Sequence, residues 1–496
     1  MNKKYILSID AGTTSSRAII FDKNANIINI AQYEFNQFFP KEGWVEHDAI
    51  EIWNTQLKAI TDVIKDSKIT PDEIDSIGIT NQRETTIIWD KQNGKPVYNA
   101  IVWQDRRTAK FCDELKENNK TELIQNKTGL VIDAYFSGTK IKWILDNNLD
   151  LRSRALNNEL LFGTIDTWLI WNLTKGKSHI TDPSNASRTL LYNIKDDNWD
   201  PELLDLFKIP RNILPSVVDS SSVSAYIDES IVGSKIPISG IAGDQQAALF
   251  GQLCIEEGDI KNTYGTGCFC MMNTGSNFVK SKNKMLSTIA WRINGKLTYA
   301  LEGSVFVAGA LIQWLRDKLG IIKSSPEVEQ LANTVSDNGG LTFIPALSGL
   351  AAPYWDPYVQ GTIFGITRGT ENGHIARAAL ESIALRTRDI IVEMEKDAGI
   401  QFTDLKVDGG ASNNNLLMQI QANLLNTSVI RPKTTETTAL GVAFLAGLAT
   451  GFWKDIESLK ALWVREKSFK PDEKFNSIEI INIWDDRIQK LLKINE

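Results

Sequence analysis

The sequence predicts an α/β protein of two domains, each built from a mixed β-sheet flanked by helices. Three observations support this prediction. The chain has 496 residues, enough for two or three domains with sizeable cores. Short apolar strands alternate with segments of helical period along most of its length. A Gly-Thr turn between two apolar strands occurs once near the start and again just past the middle. We place the two domains at residues 1–251 and 252–496.

The first copy of this turn opens the first domain. Strands are predicted over residues 7–10, 17–22 and 27–33, with the Gly-Thr turn at residues 11–16 between the first two. They form an antiparallel meander, and a helix with one apolar face follows over residues 50–60. Glycine lets the backbone approach a ligand closely, and the turn hydroxyls and N–H groups can face phosphate oxygens.

The middle of the chain offers candidate polar groups at the ends of apolar segments. Arg83 and Glu84 follow an apolar strand at residues 76–79, and the carboxyl end of a strand in an open α/β sheet is where ligands usually bind. Asp244 begins a predicted helix at residues 244–250, either as a proton acceptor or as a helix N-cap. The serine-rich stretch 214–224 reads as a surface connection.

The second domain repeats the plan of the first. Its Gly-Thr turn is Gly265–Gly267, between strands at residues 262–264 and 268–272. Its clearest helices are predicted at residues 304–315 and 377–394. A Gly409-Gly410 turn joins the strand 405–408 to the helix 415–421, which allows a flat base or ribose to lie against bare backbone near a helix N-terminus. The three glycine turns together predict a nucleotide site.

Composition and charge exclude several other classes. Hydrophobic residues make up 42% and charged residues 23%, as in ordinary globular proteins. The formal net charge of −7 argues against a nucleic-acid partner. No stretch of about 18 apolar residues and no export signal occurs, so we expect a cytoplasmic protein without membrane insertion. The four cysteines lack paired CxxC spacing, so no cysteine metal site is expected.

The three glycine turns, in this order, resemble those of the actin, hexokinase and sugar-kinase ATPase superfamily. Two longer patterns, at residues 135–147 and 361–381, narrow the resemblance to the FGGY family of carbohydrate kinases and extend it over nearly the whole chain. The resemblance implies two ribonuclease H-like (actin-like ATPase) domains with the active site in the cleft between them. It also implies ATP-dependent phosphorylation of a small polyol. The sequence contains no P-loop motif, which argues against the P-loop route to the same reaction.

Within the family, residues 80–85, 102–107, 135–147 and 239–246 are most similar to the members that convert glycerol to sn-glycerol 3-phosphate. Pentulose kinases tend to have Met-His-Gly where this chain has Arg83-Glu84-Thr85, and this difference favours a small polyol as the substrate. The resemblance implies that Asp244 is the general base. It assigns the polyol pocket to Arg83, Glu84, Tyr135, Asp244 and Gln245, with Trp103 and Phe269 as packing walls.

The resemblance also assigns the ATP side of the cleft. Phosphate contacts are implied for Thr13, Thr14, Ser15, Arg17 and Thr266, with Arg17 at the γ-phosphate; the nucleotide contacts are Gly309, Gln313, Gly410 and Asn414. The Gly-Thr turns independently support a phosphate-binding role for the hydroxyls of Thr13, Thr14, Ser15 and Thr266. Gly309, by contrast, could equally serve close helix packing. Asp10 would face the phosphates across a Mg²⁺ ion held largely through water. Family members are often dimers or tetramers, so a homodimer or homotetramer is expected.

Two alternatives and one departure from the family remain. The chain could be an FGGY kinase for a pentulose or another small polyol, which Trp103 and Arg83-Glu84 disfavour. It could instead be an actin-like assembly ATPase, which would not need the polyol residues. Residues 226–235 are acidic where some relatives bind fructose 1,6-bisphosphate, and no histidine lies between residues 179 and 374 for phosphorylation, so neither form of regulation is expected.

Overall fold

The computed structural model describes residues 3–356 and 358–494, and strands and helices alternate through them. The strands are β1 (Tyr5–Ala11), β2 (Ser15–Asp22), β3 (Ile27–Glu34), β4 (Gln37–Phe38), β5 (Glu46–His47), β6 (Ile74–Asn81), β7 (Ile87–Asp90), β8 (Ala100–Ile101), β9 (Leu160–Gly163), β10 (Ile180–Thr181), β11 (Tyr192–Asn193), β12 (Asn198–Trp199), β13 (Ser216–Val217), β14 (Ser221–Tyr226), β15 (Pro237–Gly243), β16 (Ile260–Tyr264), β17 (Cys268–Gly275), β18 (Leu286–Ile293), β19 (Lys296–Val305), β20 (Thr342–Ile344), β21 (Thr362–Phe364), β22 (Asp404–Asp408), β23 (Ser428–Pro432) and β24 (Arg465–Phe469). The helices are α1 (Ala49–Ser67), α2 (Ala109–Glu117), α3 (Thr121–Thr128), α4 (Ser137–Asp146), α5 (Leu149–Leu156), α6 (Ile165–Leu173), α7 (Pro183–Ala186), α8 (Pro201–Phe207), α9 (Glu229–Val232), α10 (Asp244–Gly251), α11 (Gly309–Asp317), α12 (Glu327–Ala332), α13 (Asn372–Ala398), α14 (Asn415–Leu425), α15 (Thr437–Thr450), α16 (Ile456–Lys460) and α17 (Ser477–Ile494).

One long mixed sheet contains the same strand order twice. In its first half the order is β3-β2-β1-β6-β15. Strands β1, β2 and β3 pair antiparallel, β6 pairs parallel with β1, and β15 pairs parallel with β6. In its second half, β19-β17-β16-β22-β23 repeats this pattern. Strands β14 and β18 join the halves through the register pair Ser221–Ile293. The α/β class and the duplicated arrangement agree with the prediction, including the first meander.

Helix α15 packs on the first half of the sheet and fixes the position of α10. It is buried over most of its length and packs on α10, β6 and β15. The two helices approach so closely that a Cβ on Gly441 would lie 1.8 Å from the Ala247 carbonyl oxygen, and one on Gly251 would lie 2.0 Å from that of Thr437. Only glycine permits this contact. The first residue of α10, Asp244, is therefore held by helix packing from behind.

Two sequence predictions about local structure are wrong. The helix expected at residues 304–315 begins only at Gly309, because Ser304 and Val305 end β19. The apolar run there suits a buried strand as well as a helix. The stretch 214–224 is not a surface connection but contains β13 and the start of β14. The hydroxyl of Ser221 donates to the Leu445 carbonyl oxygen at 2.7 Å, so a serine strand can be buried with its polar groups satisfied.

The other predicted helices are present. Helix α1 extends the segment predicted at residues 50–60, and α13 extends the one predicted at residues 377–394 by several residues at each end. Helices α10 and α14 begin at the residues expected. Within the described part of the chain, no helix combines the length and apolar character needed to cross a membrane.

Candidate active site

The polyol residues meet at the carboxyl ends of two neighbouring parallel strands. Arg83 follows β6 and Asp244 follows β15, and these strands are in register up to the pair Asn81–Gly243. Because parallel strands end at the same edge of the sheet, the two side chains become neighbours. Arg83 Nε lies 3.1 Å from Asp244 Oδ1. A pair separated by about 160 residues in the sequence is thus joined by the sheet topology.

Asp244 is not the cap of its helix. The N-cap position of α10 is Gly243, and Asp244 is the first helical residue, with its Oδ1 accepting the Gln245 backbone N–H at 2.7 Å. About a third of its side-chain surface remains exposed, although the group lies deep among other charges. Burial raises the pKa of Asp244, and Arg83 opposes that rise. The carboxylate is therefore a stronger base than an ordinary aspartate and is open to a ligand.

A fully buried carboxylate, Glu302 on β19, lies beneath Arg83. Arg83 Nη1 donates to Glu302 Oε2 at 2.5 Å, and Arg83 Nη2 donates to Oε1 at 2.9 Å. Arg188, in the turn after α7, donates to the same Oε1 from Nη2 at 3.2 Å. Burial alone would raise the pKa of Glu302, but Arg188 and Arg83 outweigh it and hold the pKa at about 2. Glu302 is therefore ionised whenever the protein is folded near neutral pH.

Glu84 is held on the other side of Arg188. Arg188 Nε donates to Glu84 Oε1 at 2.6 Å, and the Ser137 hydroxyl donates to the Glu84 carbonyl oxygen at 2.9 Å. Glu84 has φ of +62°, a left-handed conformation that non-glycine residues adopt at a cost, often at functional sites. Burial raises its pKa against the opposing effect of Arg188 and Arg83.

Three aromatic rings line the same region. Trp103 contacts Tyr135 edge to face, with ring centroids 5.6 Å apart, and Phe269 in the same manner at 6.4 Å. Phe269 projects from the opposite face of β17 to the buried Cys268 and Cys270, as the strand alternation predicts. Trp103 Nε1 also donates to the Thr13 hydroxyl at 3.0 Å, which connects the aromatic wall to the first Gly-Thr turn.

Gln245 is oriented by a lysine of the second half of the sheet. Lys261, on β16, donates from Nζ to Gln245 Oε1 at 2.6 Å and to the Thr263 hydroxyl at 2.8 Å. Burial lowers the pKa of Lys261. Sequence reasoning did not find Lys261, Arg188 or Glu302. A charged residue inside the apolar strands 260–264 and 296–305 was a usable signal for two of them, whereas the turn holding Arg188 carried none.

Each Gly-Thr turn is closed by a backbone hydrogen bond from its first glycine. Gly12 N donates to the Ser15 carbonyl oxygen, and Gly265 N to that of Gly267, each at 2.9 Å. Thr14 and Thr266 are exposed at the tips, while Thr13 is half-buried. Ser15 is buried, and its hydroxyl accepts from Gln32 Nε2 at 3.0 Å. The hydroxyls best placed to meet a ligand from the cleft are therefore those of the threonines.

The second turn is joined to the start of α11. The Thr266 carbonyl oxygen accepts the backbone N–H groups of Ala308 and Ala310 at 2.9 and 3.0 Å. A Cβ on Gly309 would lie 2.6 Å from the Gly265 carbonyl oxygen, so glycine at this position allows the helix to approach the turn. Gln313 lies exposed one turn further along α11.

The Gly-Gly turn lies beside the second Gly-Thr turn, because β22 and β16 are parallel and pair Asp408 with Thr263. Gly409 has φ of +83°, and a Cβ there would lie 2.5 Å from the Tyr264 carbonyl oxygen. Gly410 is exposed and faces open space. The side-chain oxygen of Asn414 accepts the Leu417 N–H at 2.8 Å and caps α14. The backbone at Gly410 thus offers a bare surface next to a capped helix start.

Asp10, the predicted metal-side carboxylate, is the last residue but one of β1 and is almost fully buried. It contacts Arg17 Nη2, and Arg17 Nη1 donates to Glu436 Oε2 at 2.7 Å. Asp10 raises the pKa of Arg17 further above its already high value. In residues 3–356 and 358–494, no group of three or more His, Cys, Asp or Glu side chains is arranged to hold a metal ion. Asp10 by itself would offer a Mg²⁺ ion one carboxylate. That fits an ion that takes most of its ligands from water and phosphate, as Mg²⁺ commonly does.

Comparison with known proteins agrees with this geometry. Residues 5–251 match the N-terminal domain of the FGGY family of carbohydrate kinases, and residues 260–450 match its C-terminal domain. "Glycerol kinase 2" of Thermotoga maritima is 57% identical over 490 residues, which cover 99% of each chain. The crystal structure of Plasmodium falciparum glycerol kinase with ADP has a TM-score of 0.93 at 37% identity and covers 99% of each chain. A xylulose kinase from Lactobacillus acidophilus, at 23% identity, shares the fold with a TM-score of 0.90 over 99% of this chain and 98% of its own. The chain belongs to the FGGY family of carbohydrate kinases.

Proposed function

We propose that the chain transfers the γ-phosphoryl group of ATP to a terminal hydroxyl of glycerol, giving sn-glycerol 3-phosphate and ADP. The observation that carries this proposal is the arrangement of Asp244, Arg83 and Glu84. A partly exposed carboxylate of raised pKa lies 3.1 Å from the Arg83 guanidinium, beside a second carboxylate held by Arg188. The identity to glycerol kinases over nearly the whole chain supports the same reaction.

Asp244 acts as the general base. Its carboxylate accepts the proton of the terminal hydroxyl as that oxygen forms a bond to the γ-phosphorus, and the bond from this phosphorus to the oxygen bridging the β- and γ-phosphates breaks to release ADP. Burial strengthens Asp244 as a base, and Arg83 keeps its pKa from rising further. The raised pKa favours transfer of the hydroxyl proton to the carboxylate.

The other pocket residues hold the acceptor. Glu84 accepts from, and Arg83 donates to, neighbouring hydroxyls of the polyol, while Gln245 and Tyr135 complete its hydrogen bonds. The Trp103 and Phe269 rings pack against the carbon chain. The wall at Trp103, in contact with rings on both sides, favours a three-carbon acceptor over a five-carbon sugar.

The glycine turns hold the nucleotide. Thr13, Thr14, Ser15 and Arg17 contact the phosphates from the first half of the sheet, and Thr266 contacts them from the second. Gly309, Gln313, Gly410 and Asn414 form the adenosine side. A Mg²⁺ ion near Asp10 would neutralise phosphate charge. The proposal includes the division into domains at residues 1–251 and 252–496, a cytoplasmic location and assembly as a homodimer or homotetramer, all three of which rest on the sequence and its resemblance to the family.

The test is ATP consumption by the purified protein with Mg²⁺ and one of several acceptors: glycerol, dihydroxyacetone, erythritol, xylulose, ribulose, or none. We expect turnover concentrated on glycerol, with little on the five-carbon sugars. If turnover were highest on a pentulose, the substrate would be that sugar and not glycerol. Turnover without an acceptor, unchanged by glycerol, would instead favour an assembly ATPase.

A further inference from the structure

A set of charged side chains, all buried except Asp244, underlies the proposed polyol pocket. The carboxylates of Glu84, Glu302 and Asp244 face the cations of Arg83, Arg188 and Lys261. All of them except Lys261 are linked in one chain of contacts, which runs from Glu84 through Arg188, Glu302 and Arg83 to Asp244. Buried charges of this kind are tolerated only when each has its partners, so removal of one member exposes the others to unbalanced charge.

Glu302 is the centre of this chain and comes from a different part of the protein. Arg83 and Arg188 lie within residues 5–251, whereas Glu302 lies on β19, within residues 260–450. Both oxygens of Glu302 accept from the two Nη atoms of Arg83, a two-point contact that fixes the plane of the guanidinium. With both Nη groups taken, the remaining Nε lies 3.1 Å from Asp244 Oδ1.

We propose that Glu302 is a positioning residue for the polyol: its carboxylate directs Arg83 toward Asp244 and, through Arg188, holds Glu84 in place for a substrate hydroxyl. This inference rests on the proposed function and assigns a role to a residue that need not touch the substrate. Arg188 is its partner in that role, since Arg188 Nε and Nη2 connect Glu84 to Glu302.

The decisive variant is Glu302→Gln, which keeps the shape of the side chain and removes its charge. Arg83 then loses one of its two charged acceptors and its fixed orientation. We expect the KM for glycerol to rise by about tenfold to a hundredfold, the range for lost hydrogen bonds to charged groups. The KM for ATP should change by less than about threefold, because no phosphate-side residue contacts Glu302.

The pH profile separates this role from a loss of folding. Asp244 faces Arg83 from the loop after β6, Lys261 from β16 and Glu302 from β19. Removing the negative charge of Glu302 leaves the two cations unopposed, so the pKa of Asp244 falls. We expect the acidic limb of kcat/KM to move to lower pH by about one unit. Glu302→Asp keeps the charge but is too short to bridge both arginines, so it should raise the KM for glycerol and leave the acidic limb unchanged.

A matched control comes from another buried glutamate-arginine pair. Glu381 on α13 is nearly as buried as Glu302 and accepts from Arg377 Nε at 3.0 Å and from Asn338 Nδ2 at 2.7 Å, neither of which is assigned to the pocket. Glu381→Gln should lower thermal stability without changing the KM for glycerol or the pH profile. If Glu302→Gln does not fold, Arg188→Lys replaces it, and the same rise in the KM for glycerol is expected.

The two proposals fail in different ways. If the unaltered chain neither binds glycerol by calorimetry nor phosphorylates it, the proposed function is wrong, and with it this inference. If the unaltered chain is active and the folded Glu302→Gln variant keeps the KM for glycerol within about twofold and the same acidic limb, the positioning role is wrong and the proposed function stands.

Discussion

Replacing Asp244 by asparagine tests whether this residue is the general base. Asparagine has nearly the same shape, and its amide oxygen can still accept the Gln245 backbone N–H, as Asp244 Oδ1 does at 2.7 Å. Glu302 continues to hold Arg83 at two points, so the pocket should keep its geometry. The variant therefore removes the proton acceptor while leaving its surroundings almost unchanged.

The expected loss follows from that single change. A positioned general base contributes about a hundredfold to ten-thousandfold to the rate, or about 3–5 kcal/mol of transition-state stabilisation. We expect kcat of Asp244→Asn to fall by this factor. The Kd of ATP should change by less than about threefold, because Asp244 is not among the residues proposed to bind the nucleotide.

The assay is coupled measurement of ADP release with glycerol at saturation, together with calorimetric titration of ATP. Asp48→Asn is the matched control, because Asp48 caps α1 by accepting the Ile50 N–H at 2.8 Å outside the pocket. This control should keep full activity. An Asp244→Asn protein with more than about a tenth of the normal kcat would refute Asp244 as the base. A large loss of ATP affinity would contradict the proposal that Asp244 acts on the polyol and not on the nucleotide.

Three further predictions follow from the same geometry. Because burial raises the pKa of Asp244 while Arg83 opposes it, kcat/KM should fall as the pH drops through a value above the ordinary aspartate pKa of about 4; an acidic limb at or below pH 4 in folded protein would contradict this. Thr266→Ala should raise the KM for ATP by about tenfold and leave that for glycerol unchanged, since it removes an exposed turn hydroxyl; equal effects on both substrates would count against the phosphate assignment. Gly441→Ala should lower the free energy of unfolding by about 1–3 kcal/mol or more in a denaturant melt, because its Cβ would lie 1.8 Å from the Ala247 carbonyl oxygen; unchanged stability would show that α10 and α15 can separate freely.

Local patterns predicted the parts of the molecule that depend on neighbouring residues. The alternation of residues 7–33 gave the first meander, and the glycine turns were found where strand and turn signals coincide. The proximity of Arg83 and Asp244 was also accessible, because it needs only the rule that ligand groups gather at the carboxyl ends of parallel strands. The residues whose type and strand position are both informative could therefore be assigned without coordinates.

Glu302, Arg188 and Lys261 depend on information of a different kind. Arg83 and Glu302 are 219 residues apart, and their contact follows from the order in which strands of both halves enter one sheet. A charged residue inside an apolar strand predicts only that some partner must exist, since an unpaired buried charge is too costly to keep. Which partner it has is decided by the register of the sheet. The side chains proposed to bind the polyol can thus be found from motifs, whereas the charges proposed to orient them become visible only when the two halves of the fold are brought together.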